Sequence, residues 1–159
     1  MAHPDLNSLF DTAVSFAKLM LSEEGEFYPF GATMSPSGEI TNIGARVERD
    51  DHPPSQTLID LMTETFQKRA ASGEIRAAVI CYDGRAIPPG ETTKADVICC
   101  GLEHRSGESV DVFMPYKRTG RSFQFGETFA SRRIAQFFVG DEFTFEVQQY
   151  VPRIPRWEF

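Results

Sequence analysis

Ala95-Asp96-Val97-Ile98-Cys99-Cys100-Gly101-Leu102-Glu103-His104-Arg105-Ser106-Gly107-Glu108-Ser109-Val110-Asp111-Val112-Phe113-Met114-Pro115-Tyr116 reads as two strands joined by a tight turn. With Arg105-Ser106-Gly107 as a three-residue loop, Ile98 lies opposite Met114, Cys100 opposite Val112, Leu102 opposite Val110 and His104 opposite Glu108. One face is then apolar as far as the tip. A two-residue loop sets Glu103 beside Val110 and Cys99 beside Met114, mixing polar and apolar groups. Side chains alternate along a strand, so a one-residue slip turns every one of them over, and a half-buried sheet resists that along its whole length. The three-residue loop follows, and it turns Ile98, Cys100 and Leu102 toward a core.

Outward from this ribbon, the chain alternates helix and hairpin patterns. Leu6, Leu9, Phe10, Ala13, Val14, Ala17, Met20 and Leu21 recur at spacings of three and four, which predicts a helix capped by Asp5 or Asn7 and stopped by Gly25. Residues 27–34 and 39–47 read as strands around Ser35-Pro36-Ser37-Gly38. Pro36 suits the first corner of that turn and Gly38 the left-handed position, which pairs Met34 with Ile40 and Thr33 with Thr41. Asp50 to Pro54 is a linker. Ser55 then caps a second helix with a buried stripe of Leu58, Leu61, Met62, Thr65, Phe66 and Ala70, ended by Gly73. Residues 75–82 form a strand apolar enough to be central, and 83–93 an irregular loop. Arg121–Phe125 is a short strand. Phe129, Ala130, Arg133, Ile134, Phe137 and Phe138 fall at helical spacing, while the β-rich run 134–139 leaves a strand open. Phe143, Phe145 and Val147 alternate as in a further strand, and 151–159 reads as an extended tail.

The expected fold class is α+β: an antiparallel sheet of five to seven strands, in the order αββαβββ, then a helix or strand and a further strand. The first two helices are expected on one face. The 159 residues make a single domain, large enough to hold together without a disulfide or metal. The 14 Phe imply a large core, or a core with an apolar contact patch.

A net charge of −7 argues against nucleic acid as a partner. Basic residues gather late, at Lys117, Arg118, Arg121, Arg132, Arg133, Arg153 and Arg156; they either form a solvated face or steer an acidic partner. No run of about 20 apolar residues marks a membrane span, and no N-terminal signal is legible. Cys81, Cys99 and Cys100 lie in strand patterns and read as reduced thiols of a cytoplasmic protein.

The chemistry-bearing patterns are sparse. There is no C-x-x-C, H-x-x-x-H or H-x-E spacing, and Cys99 and Cys100 point to opposite faces, so no metal or other cofactor is expected. Cys100 faces Val112 among apolar neighbours, which leaves it inert. Ser106 lacks the surroundings of a catalytic serine. His104 and Glu108 meet across the hairpin mouth and are the candidate acid/base pair, with a surface charge pair as the plainer reading. Candidate partner- or ligand-binding residues are Tyr28 and Phe30, beside the backbone opening at Gly31, Arg85 in the loop, and Trp157 and Phe159 in the tail. Gly31 alternatively relieves crowding under the first helix.

The element order resembles the roadblock/longin group of profilin-like folds over about residues 6–138, without a motif to carry any residue across. That resemblance implies a dimerising or scaffold module. The expected function is non-enzymatic protein binding, by self-association or as an acidic inhibitor of a basic partner. The alternative is a small-molecule sensor or enzyme with a pocket near His104, Glu108 and the 83–93 loop.

Overall fold

A computed structural model of the chain describes residues 3–44 and 53–140. They form α1 (Pro4–Glu24), β1 (Phe30–Met34), β2 (Ile40–Gly44), α2 (Ser55–Ala71), β3 (Ala77–Ala86), β4 (Ala95–His104), β5 (Ser109–Thr119), β6 (Ser122–Phe125) and β7 (Phe129–Arg132). The fold is α+β with a seven-stranded antiparallel sheet, ordered β2-β1-β3-β4-β5-β6, and β7 pairs with the other half of β5. The 143–147 strand pattern, the 151–159 tail and most of the 50–54 linker lie outside the described residues.

The hairpin registers are those the sequence dictates. Ile98 faces Met114, Cys100 faces Val112 and Leu102 faces Val110. The turn closes with His104 N–H on Glu108 O at 2.8 Å and Gly107 N–H on His104 O at 2.9 Å, and Gly107 takes φ +105°. Ile98, Cys100 and Leu102 are all buried. In the first hairpin Met34 faces Ile40 and Thr33 faces Thr41.

The helices lie on opposite faces of the sheet, not on one. Leu6, Leu9, Ala13, Val14, Ala17 and Leu21 of α1 pack with Ala77, Val79 and Cys81 of β3 and with Ile98, Cys100 and Leu102. Met62, Phe66 and Ala70 of α2 pack with the alternate residues Ala78 and Ile80. Ala77 to Cys81 is accordingly buried at five successive positions, the mark of a strand covered on both sides. Gly31 serves α2 rather than α1: a Cβ there would lie 2.8 Å from Phe66 Cζ and 2.8 Å from Val79 O.

Local expectations change in several places, among them the α2 stripe, where Leu61 is exposed and Thr65 half-buried. His3, not Asp5 or Asn7, caps α1, with its Nδ1 accepting the Asp5 N–H and Pro4 at the first helical position, where its missing N–H costs nothing. Ser55 begins α2 without a side-chain cap, and Pro54 O takes the N–H groups of Thr57 and Leu58. β3 continues to Ala86, so the loop shrinks to 87–94; Gly84 leaves room where a Cβ would sit 3.0 Å from Cys99 Sγ. The helical reading of 129–138 gives way to β7, followed by a segment crossing the α2 face of the sheet, which leaves Ile134 87% exposed.

The crossing segment is tied down by one carboxylate. Glu103, 1% exposed, accepts Gln136 N–H at 2.9 Å, Phe137 N–H at 2.8 Å and Phe138 N–H at 3.3 Å. Arg133 Nε donates to the same carboxylate at 2.9 Å and Nη1 to Asp111 at 3.0 Å. The N–H groups of 136–138 therefore point at Glu103 instead of at carbonyls one helical turn back. Phe137 meets Phe66 edge-on, 5.4 Å between centroids, and closes the second core.

Candidate functional site

Two places could act on something outside the chain, at opposite ends of β4. At the hairpin tip, His104 is 8% exposed, and its Nε2 lies 2.9 Å from Asp5 Oδ2. Its Nδ1 accepts the Ser106 N–H at 3.0 Å. Glu108 instead accepts the backbone N–H of His3 at 2.7 Å. The expected His104–Glu108 acid/base pair is thus replaced by His104–Asp5, because α1 starts directly over the hairpin mouth. Arg76 completes the cluster, with Nη2 3.0 Å from Asp5 Oδ1, and His3 stacks on His104 at 3.9 Å between centroids.

Among the described residues His3, Asp5 and His104 alone bring three groups of metal-binding type together. Their donor atoms are committed elsewhere. Both Nδ1 atoms accept backbone N–H groups, which leaves the His104 proton on Nε2, the atom that faces Asp5. Arg76 adds a positive charge on the carboxylate. The chemistry of this donor set is that of a hydrogen-bonded clasp, and it does not fit a cation.

At the other end, about 30 Å away along the nine residue steps of β4, an open cleft of about 560 Å³ lies between the 87–94 loop and the β5–β6–β7 corner. Pro88, Pro89 and Glu91 form one wall, Pro115, Tyr116 and Lys117 the floor, and Gln124 to Phe129 the other wall. The two proline-bearing pieces are held by Glu91 N–H on Pro88 O at 3.1 Å and Gly126 N–H on Pro115 O at 2.8 Å. Tyr116 is anchored by its hydroxyl, which donates to Asp83 Oδ1 at 2.7 Å. Burial, then the Asp83 charge, pushes the Tyr116 hydroxyl well up, so it stays a proton donor at any physiological pH. Burial raises Asp83 as well, with the Tyr116 hydrogen bond opposing. The expected pocket beside the loop exists, but His104 and Glu108 are not in it.

The remaining candidate residues scatter. Tyr28 is half exposed, while Phe30 is buried against Phe16 and Phe27, at 4.8 and 5.9 Å between centroids, and belongs to the core. Arg85 lies across from Asp96 at 3.7 Å on an exposed stretch of β3. Trp157 and Phe159 lie outside the described residues. Of the late basic residues, Arg133 is buried in its carboxylate pair and Arg118 donates to Gly25 O at 2.8 Å, so they do not make one solvated face. Phe16 and Leu19 on α1 are exposed apolar positions that the periodicity did not single out.

The thiols are poor nucleophiles where they sit. Burial pushes Cys81 well up, helped by Cys100, whose Sγ is 3.7 Å away. Burial likewise lifts Cys99 to about 12.

Comparison with protein-family models, with curated proteins and with solved structures finds no match to this chain. The likeness to the roadblock/longin group therefore rests on element order alone. No described helix is long and apolar enough to cross a membrane.

Proposed function

We propose that the chain is a non-enzymatic binding module that takes an extended segment of a protein partner in the cleft between the 87–94 loop and the β5–β6–β7 corner. The observation that carries this reading is the cleft itself, about 560 Å³ and walled by prolines and aromatic rings. Phe125 offers rigid apolar surface above the mostly buried Tyr116 and Phe129, and Pro88, Pro89 and Pro115 hold the walls apart at little cost in chain entropy. Glu91 and Glu127 on the lining outnumber Lys117, and the chain carries −7, so a partner segment with a basic group is favoured. The three free thiols fit a reducing, cytoplasmic setting.

The same volume suits a small apolar ligand, which keeps the sensor reading as the second one. Chemical-shift mapping on ¹⁵N-labelled protein separates the two. Basic, proline-containing peptides should move amides at 88–91, 115–117 and 124–129, and Glu127→Lys should weaken them. Small uncharged fragments moving the same amides while peptides do not would favour the sensor. Perturbation confined to Phe16, Leu19 and Tyr28 would remove the cleft from the proposal. Self-association is tested by sedimentation across a concentration series, where a monomer throughout sinks that version.

A further inference from the structure

The clasp at the hairpin tip stacks two imidazoles, each with its Nδ1 accepting a backbone N–H. His3 Nδ1 accepts the Asp5 N–H at 3.0 Å, and His104 Nδ1 accepts the Ser106 N–H at 3.0 Å. A ring nitrogen that receives a hydrogen cannot carry one, so the His104 ring is the neutral Nε2–H form. His104 Nε2 then donates to Asp5 Oδ2 at 2.9 Å. The rings lie nearly parallel, 22° between planes and 3.9 Å between centroids.

We propose that His104 is an acid-operated latch, which docks the first turn of α1 on the β4–β5 hairpin through Asp5 while its ring is neutral and releases it when the ring takes up a proton. Protonation of His104 at Nδ1 sets hydrogen against hydrogen at the hairpin turn, where the Ser106 N–H donates to that atom. It also places a positive ring against the His3 ring, 3.9 Å between centroids, and beside Arg76, which already holds Asp5 at 3.0 Å. The charged and titratable groups facing the pair are Asp5 from α1, Arg76 from the run into β3, and Glu108 beyond the turn. One Asp5 oxygen serves Arg76 and the other serves His104, while Glu108 is engaged with the His3 backbone N–H.

Geometry sets where the latch opens. Burial pushes His104 below the ordinary histidine value of 6.5; Asp5 opposes that, and His3 and Arg76 add to it. Release accordingly falls below pH 6.5. The residues directly after the clasp, Leu6 and Leu9, are fully buried against the sheet, so opening starts at the end of the α1 seam.

The test compares the native chain with His3→Asn/His104→Asn, which supplies a non-titrating acceptor at the helix cap and at the turn. Hydrogen-exchange protection of the Asp5, Leu6, Asn7 and Ser106 amides is followed from about pH 7.5 to about pH 5 and corrected for intrinsic rates. Native protein should lose protection about tenfold or more at these amides, with Val79 and Leu102 unchanged, and the variant should stay flat. A flat native profile, or the same loss in the variant, overturns the latch. If the variant does not fold, imidazole ¹⁵N shifts of native protein decide. A His104 Nε2–H ring that titrates together with the Ser106 amide supports it; a His104 Nδ1–H ring, or its titration without movement of that amide, refutes it.

Discussion

Glu103 shows how much one side chain can govern. Its neighbours in sequence mark a strand tip, and alternation alone turns it away from the α1 core. What makes it decisive is a cradle of three backbone N–H groups and a guanidinium supplied by residues far along the chain. Glu103→Ala leaves Arg133 with Asp111 alone and strands the 136–138 amides, and should cost about 3–5 kcal/mol, read as a lowered denaturant midpoint. Gly101 belongs to the same arrangement, since a Cβ there would lie 2.5 Å from Arg133 Nη1. The cysteines behave in the opposite way, as packing atoms. A chromogenic thiol reagent should leave all three unmodified in native protein and titrate three after unfolding; rapid native labelling of Cys99 would show that its burial is incomplete. Burial of Cys100 was legible from the hairpin register, which turns Cys99 to the other face. The His3 cap was not, because histidine is an uncommon capping residue and its acceptor role depends on the ring above it.

Among elements, the contact of α2 with β1 is the most exposed to error. Gly31 exists so that Phe66 can reach the sheet, and Gly31→Ala must displace both that ring and the Val79 carbonyl. A loss of about 1–3 kcal/mol is expected from overpacking. Phe66→Leu should recover part of it in the double variant, because the smaller side chain yields space while the carbonyl does not. An additive double variant would place the strain at the carbonyl alone. Element order and hairpin register followed from local signals: alternation of period two, and a turn glycine where positive φ is required. Residues 129–138 carried two periods at once. The strand and crossing segment win because Glu103 and Phe66, neither near in sequence, supply the amide partners and the ring contact.

For the whole molecule, acid stability follows from which groups are held away from their ordinary values. His104 is lowered, chiefly by burial, so the unfolded chain takes its proton first. Stability from this residue is present above pH 6.5 and drains as pH falls through the folded value. Asp5 is also lowered, by His104 and Arg76 against its desolvation, and its share is lost only below 3.8. Asp83 and Asp111 are raised, mainly by burial, and their penalty fades on acidification. Denaturation midpoints should therefore fall on acidification just below 6.5, and His104→Asn should flatten that step; an unchanged step would assign it to another group. The sequence by itself determined the α+β class, the two hairpin registers, the central place of the 75–82 strand and the inward turn of Ile98, Cys100 and Leu102, because those follow from periodicity and turn chemistry within short windows. Only the tertiary structure decided which face each helix covers, that His104 binds Asp5 rather than Glu108, and that the cleft lies at the far end of β4. Each of those depends on groups brought together by chain return, which no local pattern encodes.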